Sequence, residues 1–153
     1  MMRIFVLEDR EDIINILQKF LNNFAKEYGE CKVDYCLDIE EANTAIKKCR
    51  ESGESFNCYI FDLALDASSL EDNLKSETQQ GYFTGWIWIK NNVLSEDENR
   101  INKCVIFSAY CDSFNDAYRK HEDKRLIDRM LVLNKSDLSW RVKLEKKLKS
   151  LRG

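Results

Sequence analysis

Hydrophobic residues in this chain recur in two rhythms that alternate from end to end. Residues 3–7 (RIFVL) form a short apolar run that stops abruptly at acids, the pattern of a strand buried on both faces. From Asp12 the spacing changes: Ile13, Ile14, Leu17, Phe20, Leu21 and Phe24 predict a helix with one core-facing stripe, ending near Tyr28-Gly29. Asp12 reads as the N-cap of that helix rather than as a ligand. A second strand is predicted over 32–36 and a helix over about 39–50, with Asp38 as its N-cap. A third strand over 56–61 (FNCYIF) ends on Asp62. Helical spacing resumes over 85–94. It is followed by a strand over 103–107, a helix over 113–121, a strand over 129–133 and a last helix over 138–151. Trp140, Leu144, Leu148 and Leu151 share one stripe of that last helix.

The stretch 66–80 (DASSLEDNLKSETQQ) breaks this alternation. It is polar, shows little periodicity and reads as a long surface loop with at most one helical turn. Loops of that length are uncommon in compact domains and usually carry a function or are disordered. Elsewhere, short strands alternate with helices. The prediction is therefore an α/β fold, a five-stranded parallel sheet with helices on both faces. A single domain over 1–153 is expected, with an inserted loop at about 66–80.

Composition narrows the functional classes. The chain has 153 residues, 44% hydrophobic and 33% charged, enough to bury a core without staples. No stretch approaches the roughly 20 apolar residues of a membrane span, and the N-terminus lacks the pattern of a signal peptide. Net charge is −3, so the basic surplus of a nucleic-acid binder is missing, and direct nucleic-acid contact is not expected. The basic stretch 141–152 reads as a solvated helix face. None of the six cysteines forms a C-x-x-C, and His121 is the one histidine, so a sulfur-held metal is not expected either. Cysteine usage suits a reduced, cytoplasmic setting.

Ligands of parallel α/β sheets bind beyond the carboxyl ends of the strands. Glu8 and Asp9 follow the first predicted strand, Asp62 the third, Ser108 and Ala109 the fourth, and Lys135 the fifth. Taken singly, these are turn acids, a cap, a loop hydroxyl and a surface lysine. Together they bring three carboxylates, a hydroxyl and an ammonium to one sheet edge. Crowded carboxylates either raise one another's pKa or recruit a cation, and Mg²⁺ favours such hard oxygen ligands. With a lysine and a hydroxyl opposite, the set suits phosphoryl transfer by positioning and charge neutralisation. Asp62 would be the nucleophile, since carboxylates form acyl phosphates.

In this order and spacing the residues resemble the response-regulator receiver domain of two-component signalling, over essentially the whole chain. The resemblance implies a sheet in the order 2-1-3-4-5 and a signalling module rather than an enzyme. It implies Asp62 as phosphoacceptor, with Ser108 and Lys135 contacting the phosphoryl group. Mg²⁺ would be held by Glu8, Asp9, Asp62 and the backbone carbonyl of Ala64. The implied partner is a histidine kinase or phosphotransfer protein, or a small phosphodonor.

Three departures accompany the resemblance. Ser136 stands where the family has a proline after its lysine, and Val132 where it has a switch aromatic. The glycine that follows the phosphoacceptor closely in the family is also distant here. Gly81 lies 19 residues past Asp62 and Gly85 lies 23 past. These departures support an alternative, a receiver-like adaptor that signals without phosphorylation. A haloacid-dehalogenase-type phosphohydrolase needs a second Asp two residues past the nucleophile, where this chain has Ala64. Trp86 and Trp88 read as core and partly buried surface of the third helix, His121 as an exposed helix-end residue. Tyr110 and Phe114 read as packing or partner surface.

Overall fold

Alternation along the first strand explains the layering of the molecule. The computed structural model describes residues 1–152. Strand β1 (Met2–Leu7) is buried along its length because successive side chains feed two different cores. Ile4 and Val6 meet Leu17, Leu21 and Phe24 of α1 (Glu11–Tyr28) and Leu144 and Leu148 of α7 (Trp140–Leu151). Phe5 and Leu7 point the other way, into a core with Ile39 and Ile46 of α2 (Ile39–Glu51) and the tryptophans of α4 (Thr84–Ile89). Burying one such side chain stabilises the fold by about 1.5–3 kcal/mol.

With β2 (Cys31–Cys36), β3 (Cys58–Phe61), β4 (Cys104–Ser108) and β5 (Leu131–Asn134), the sheet is wholly parallel and ordered β2-β1-β3-β4-β5. Register places Leu7 beside Phe61 and Ser108 beside Asn134, so the strand ends are level along one edge. Fold class and strand order agree with expectation. Asp38 caps α2 as predicted, accepting from the Glu41 N–H at 2.7 Å, while Glu41 reaches back to the Leu37 N–H at 2.7 Å.

Several local expectations need correction. Asp12 does not cap α1. It lies in the first turn and pairs with Arg10 at 2.8 Å, while Arg10 holds the cap position with no side-chain bond to the helix backbone. The stretch 66–80 contains α3 (Asp72–Lys75) and a 3₁₀ turn (Ser76–Thr78), and it buries Leu70 and Thr78 against the rest. Helix α4 runs on through a π turn (Lys90–Leu94), where the Asn91 and Asn92 amides donate to the carbonyls of Ile87 and Trp88. The helix expected over 113–121 is α5 (Cys111–Ala117). A further short helix, α6 (Lys124–Ile127), follows it.

The break between α5 and α6 brings Asp123 inward. Its carboxylate accepts from Trp86 Nε1 at 3.1 Å and from Lys90 Nζ at 2.9 Å. Trp86 and Trp88 are therefore both fully buried, Trp88 stacking on Phe5 with centroids 5.4 Å apart. His121 is exposed as expected, but lies in this turn beyond α5, its Nδ1 accepting from the Asp123 N–H at 2.9 Å. Phe114 is core; Tyr110 is exposed.

Candidate functional site

The candidate site is built from the first residues beyond β1, β3 and β5 and from Ser108, the last residue of β4. Backbone pairing fixes the three that lie beyond their strands. Glu8 N–H donates to the Cys36 carbonyl at 3.0 Å, Asp62 N–H to Leu7 at 2.9 Å, and Lys135 N–H to Ser108 at 3.0 Å. The ladder thus extends one residue past these three strands, and each of these side chains leaves from ordered backbone.

Lysine 135 lies between two carboxylates. Its Nζ is 2.8 Å from Asp62 Oδ2 and 2.9 Å from Glu8 Oε2. Glu8 and Asp62 are buried, whereas Asp9 is exposed. Oxygens of Glu8, Asp9 and Asp62 all lie within 4.8 Å of one another. The remaining lone pairs find local donors: Glu8 Oε1 accepts from the Arg10 N–H at 3.2 Å, and Asp62 Oδ1 from the Leu63 N–H at 2.7 Å.

Electrostatics follow from this crowding. Burial, and then the charge of Asp62, push the Glu8 carboxyl up to about 7, against the opposing pull of Lys135. Burial works against the Lys135 ammonium, but its bonds to Asp62 and Glu8 win and its pKa is raised. When ionised, three carboxylates face one ammonium, leaving two negative charges. A small divalent cation with hard-oxygen preference matches that donor set and that excess. Ala64, the half-buried residue two past Asp62, has a carbonyl that accepts no hydrogen bond among the described residues.

Ser108 is fully buried at the end of β4, and its Oγ accepts from the Tyr110 N–H at 3.2 Å. The turn after Lys135 is closed by Asn134, whose Oδ1 accepts from the N–H and hydroxyl of Ser136 at 2.9 and 2.7 Å. Every described peptide bond there is trans. Val132 is a partly buried aliphatic on β5 packed against the α2/α4 core.

Sequence spacing separated the glycines from Asp62, but the structure restores one of them. Gly85 N–H donates to the Leu63 carbonyl at 2.9 Å, and Leu65 N–H donates to the Gly81 carbonyl at 3.2 Å. A Cβ on Gly85 would lie 1.8 Å from the Asp62 carbonyl oxygen. The insertion therefore loops out and returns, and α4 starts hard against the backbone of Asp62. Sequence reasoning missed Gly85 in this role, because linear distance hid the return. It also missed Tyr82, which contacts Tyr110 at the rim.

No known family pattern and no curated protein matches this sequence. Among solved structures the chain superposes on RcsB, a response regulator of Salmonella typhimurium described for conformational dynamism in DNA interaction, at a TM-score of 0.57. Identity is 15%, over 99% of this chain and 59% of that one. The likeness is one of fold: this chain has a receiver-like architecture and spans rather more than half of the regulator's length.

Proposed function

We propose that this chain is a receiver domain that accepts a phosphoryl group on Asp62 and signals through the resulting change. The observation that carries the reading is the Glu8–Asp9–Asp62 cluster with Lys135 bridging its two buried members. A carboxylate oxygen of Asp62 attacks phosphorus as the bond to the donor breaks. The donor is a phosphohistidine of a kinase or phosphotransfer protein, or a small acyl phosphate. The product is an aspartyl phosphate, and the donor leaves with the bonding electrons.

Glu8, Asp9, Asp62 and the Ala64 carbonyl are the groups that would hold Mg²⁺. Bound there, it would neutralise the charge on the transferring oxygens. Lys135, which bonds Asp62 Oδ2, would turn its ammonium to a phosphoryl oxygen once Asp62 has bonded phosphorus. Ser108 supplies a hydroxyl at the neighbouring strand end. The chain acts as a switch rather than as an enzyme turning over free substrate. No described helix is long and apolar enough to cross a membrane, and a cytoplasmic setting is part of the proposal.

A second reading, a phosphorylation-independent adaptor, is favoured by Val132 at the expected aromatic position and by the ordered insertion. ¹⁹F NMR with Mg²⁺ and beryllium fluoride separates the two. The receiver reading predicts a bound fluoride resonance that is lost with EDTA and in Asp62→Asn. Its absence from the wild-type protein would leave the adaptor.

A further inference from the structure

The exposed aromatics nearest the site are not on β5. Tyr82, at the end of the insertion, is 49% exposed, and Tyr110, two residues past Ser108, is 39% exposed. Their rings pack with centroids 5.3 Å apart. Two hydrogen-bonded links reach this pair, one from the turn that begins at Asp62 and one from Ser108 at the neighbouring strand end. In the first, the turn 62–65 is zipped to the residues flanking Tyr82, through Leu65 N–H to Gly81 O and Gly85 N–H to Leu63 O. In the second, the Tyr110 N–H is held by Ser108 Oγ at 3.2 Å.

The segment before Tyr82 is held in an unusual shape. Gln79, Gln80 and Gly81 have φ of 54, 61 and 94°, three left-handed residues in succession. Glutamine seldom adopts that conformation, which persists only where surroundings impose it. Here the surroundings are the buried Thr78 and Phe83 on either side, and the Tyr110 ring against Tyr82.

We propose that the stretch 66–83 is a strap whose closure reports the occupancy of Asp62, with the Tyr82–Tyr110 contact as its latch. The inference rests on the phosphoacceptor reading and extends it to regulation of the insertion. A phosphoryl group on Asp62 presents new acceptor oxygens beside the end of β4. The Ser108 hydroxyl turns to donate to one of them and leaves the Tyr110 N–H without its acceptor. Tyr110 then shifts off Tyr82, the left-handed turn relaxes, and the strap loosens. The two states differ in named contacts, as a ligand-driven switch requires.

Amide hydrogen exchange on wild type, Tyr82→Ala and Tyr82→Phe tests this, each with and without Mg²⁺ and beryllium fluoride. Occupancy of Asp62 is read separately by ¹⁹F NMR. In wild type and Tyr82→Phe, occupancy should speed exchange over 66–83 on the order of fivefold, the protection of one ordinary hydrogen bond. In Tyr82→Ala, exchange should be fast already and occupancy should add nothing, with the bound ¹⁹F signal intact. A bound signal in wild type with unchanged exchange over 66–83 overturns the strap and leaves the receiver reading standing. So does a Tyr82→Ala protein that responds as wild type does. No bound signal in wild type removes the receiver reading and the strap with it. Should Tyr82→Ala not fold, the wild-type comparison alone decides.

Discussion

Gly85→Ala is the sharpest structural perturbation available, because its cost follows from backbone geometry. The added Cβ would lie 1.8 Å from the Asp62 carbonyl oxygen, 2.9 Å from its carbonyl carbon and 3.3 Å from Leu63 Cα. All three atoms are backbone, so no side chain can rotate away. Relief requires the start of α4 to retreat by about 1.5 Å to reach an ordinary C···O contact. Retreat is opposed by Trp86 and Trp88, which are fully buried, and it breaks the Gly85 N–H bond to Leu63. Overpacking costs about 1–3 kcal/mol and the lost bond about 0.5–1.5 kcal/mol. The helix-propensity gain of alanine, up to about 1 kcal/mol, offsets part of this. The net is a loss of about 1–3 kcal/mol, or roughly 3–10 °C in Tm for a chain of this size. Urea unfolding followed by tryptophan fluorescence measures it, with Mg²⁺ titration of the same samples reporting the displaced Asp62. A variant within about 0.5 kcal/mol of wild type would refute the claim that α4 is seated on the Asp62 backbone.

Other consequences follow from the same geometry. Lys135→Met leaves Glu8 and Asp62 buried without their ammonium, and the metal-free protein should lose about 3 kcal/mol. Mg²⁺ should restore more stability to this variant than it adds to wild type, and equal Mg²⁺ effects in denaturant titrations would contradict the shared-charge account. In metal-free protein Glu8 holds its proton up to about pH 7, whereas unfolded it ionises near 4.5, so unfolding releases a proton between those values. Stability should therefore fall as pH rises through that window, by on the order of 3 kcal/mol, and Glu8→Gln should flatten the slope; identical slopes would count against burial as the cause. Asp123→Ala leaves the buried Trp86 Nε1 without its acceptor and the partly exposed Lys90 without its carboxylate, and should cost about 2–4 kcal/mol by urea unfolding, while a loss below 1 kcal/mol would show that water replaces the carboxylate.

What the sequence made legible was governed by burial. Strands covered on both faces read as unbroken apolar runs, so 3–7 and 103–107 lie within a residue or two of β1 and β4. Their abrupt polar ends then pointed to Glu8, Asp62, Ser108 and Lys135. The structure brings Glu8, Asp62 and Lys135 within bonding distance and leaves Ser108 bonded to Tyr110. What stayed hidden depended on contacts distant along the chain. The helix expected over 113–121 ends at Ala117, and the turns that follow bring Asp123 to Trp86, a contact no local pattern encodes. Gly85 looked remote because linear spacing cannot show that an insertion returns to its starting point. Asp12 had the composition of a cap, but the helix starts at Glu11 with Arg10, two residues earlier, in the cap position and paired with it. The insertion lacked periodicity because only scattered residues, Leu70 and Thr78 among them, face inward.

The central claim is that Asp62 is a metal-dependent phosphoacceptor, and intact-protein mass after incubation with acetyl phosphate and Mg²⁺ tests it most directly. A single phosphoryl-sized increase should appear in wild type and disappear both with EDTA and in Asp62→Asn. An increase that persists in Asp62→Asn or in EDTA, or wild-type protein that stays unmodified and binds no beryllium fluoride, would contradict the account.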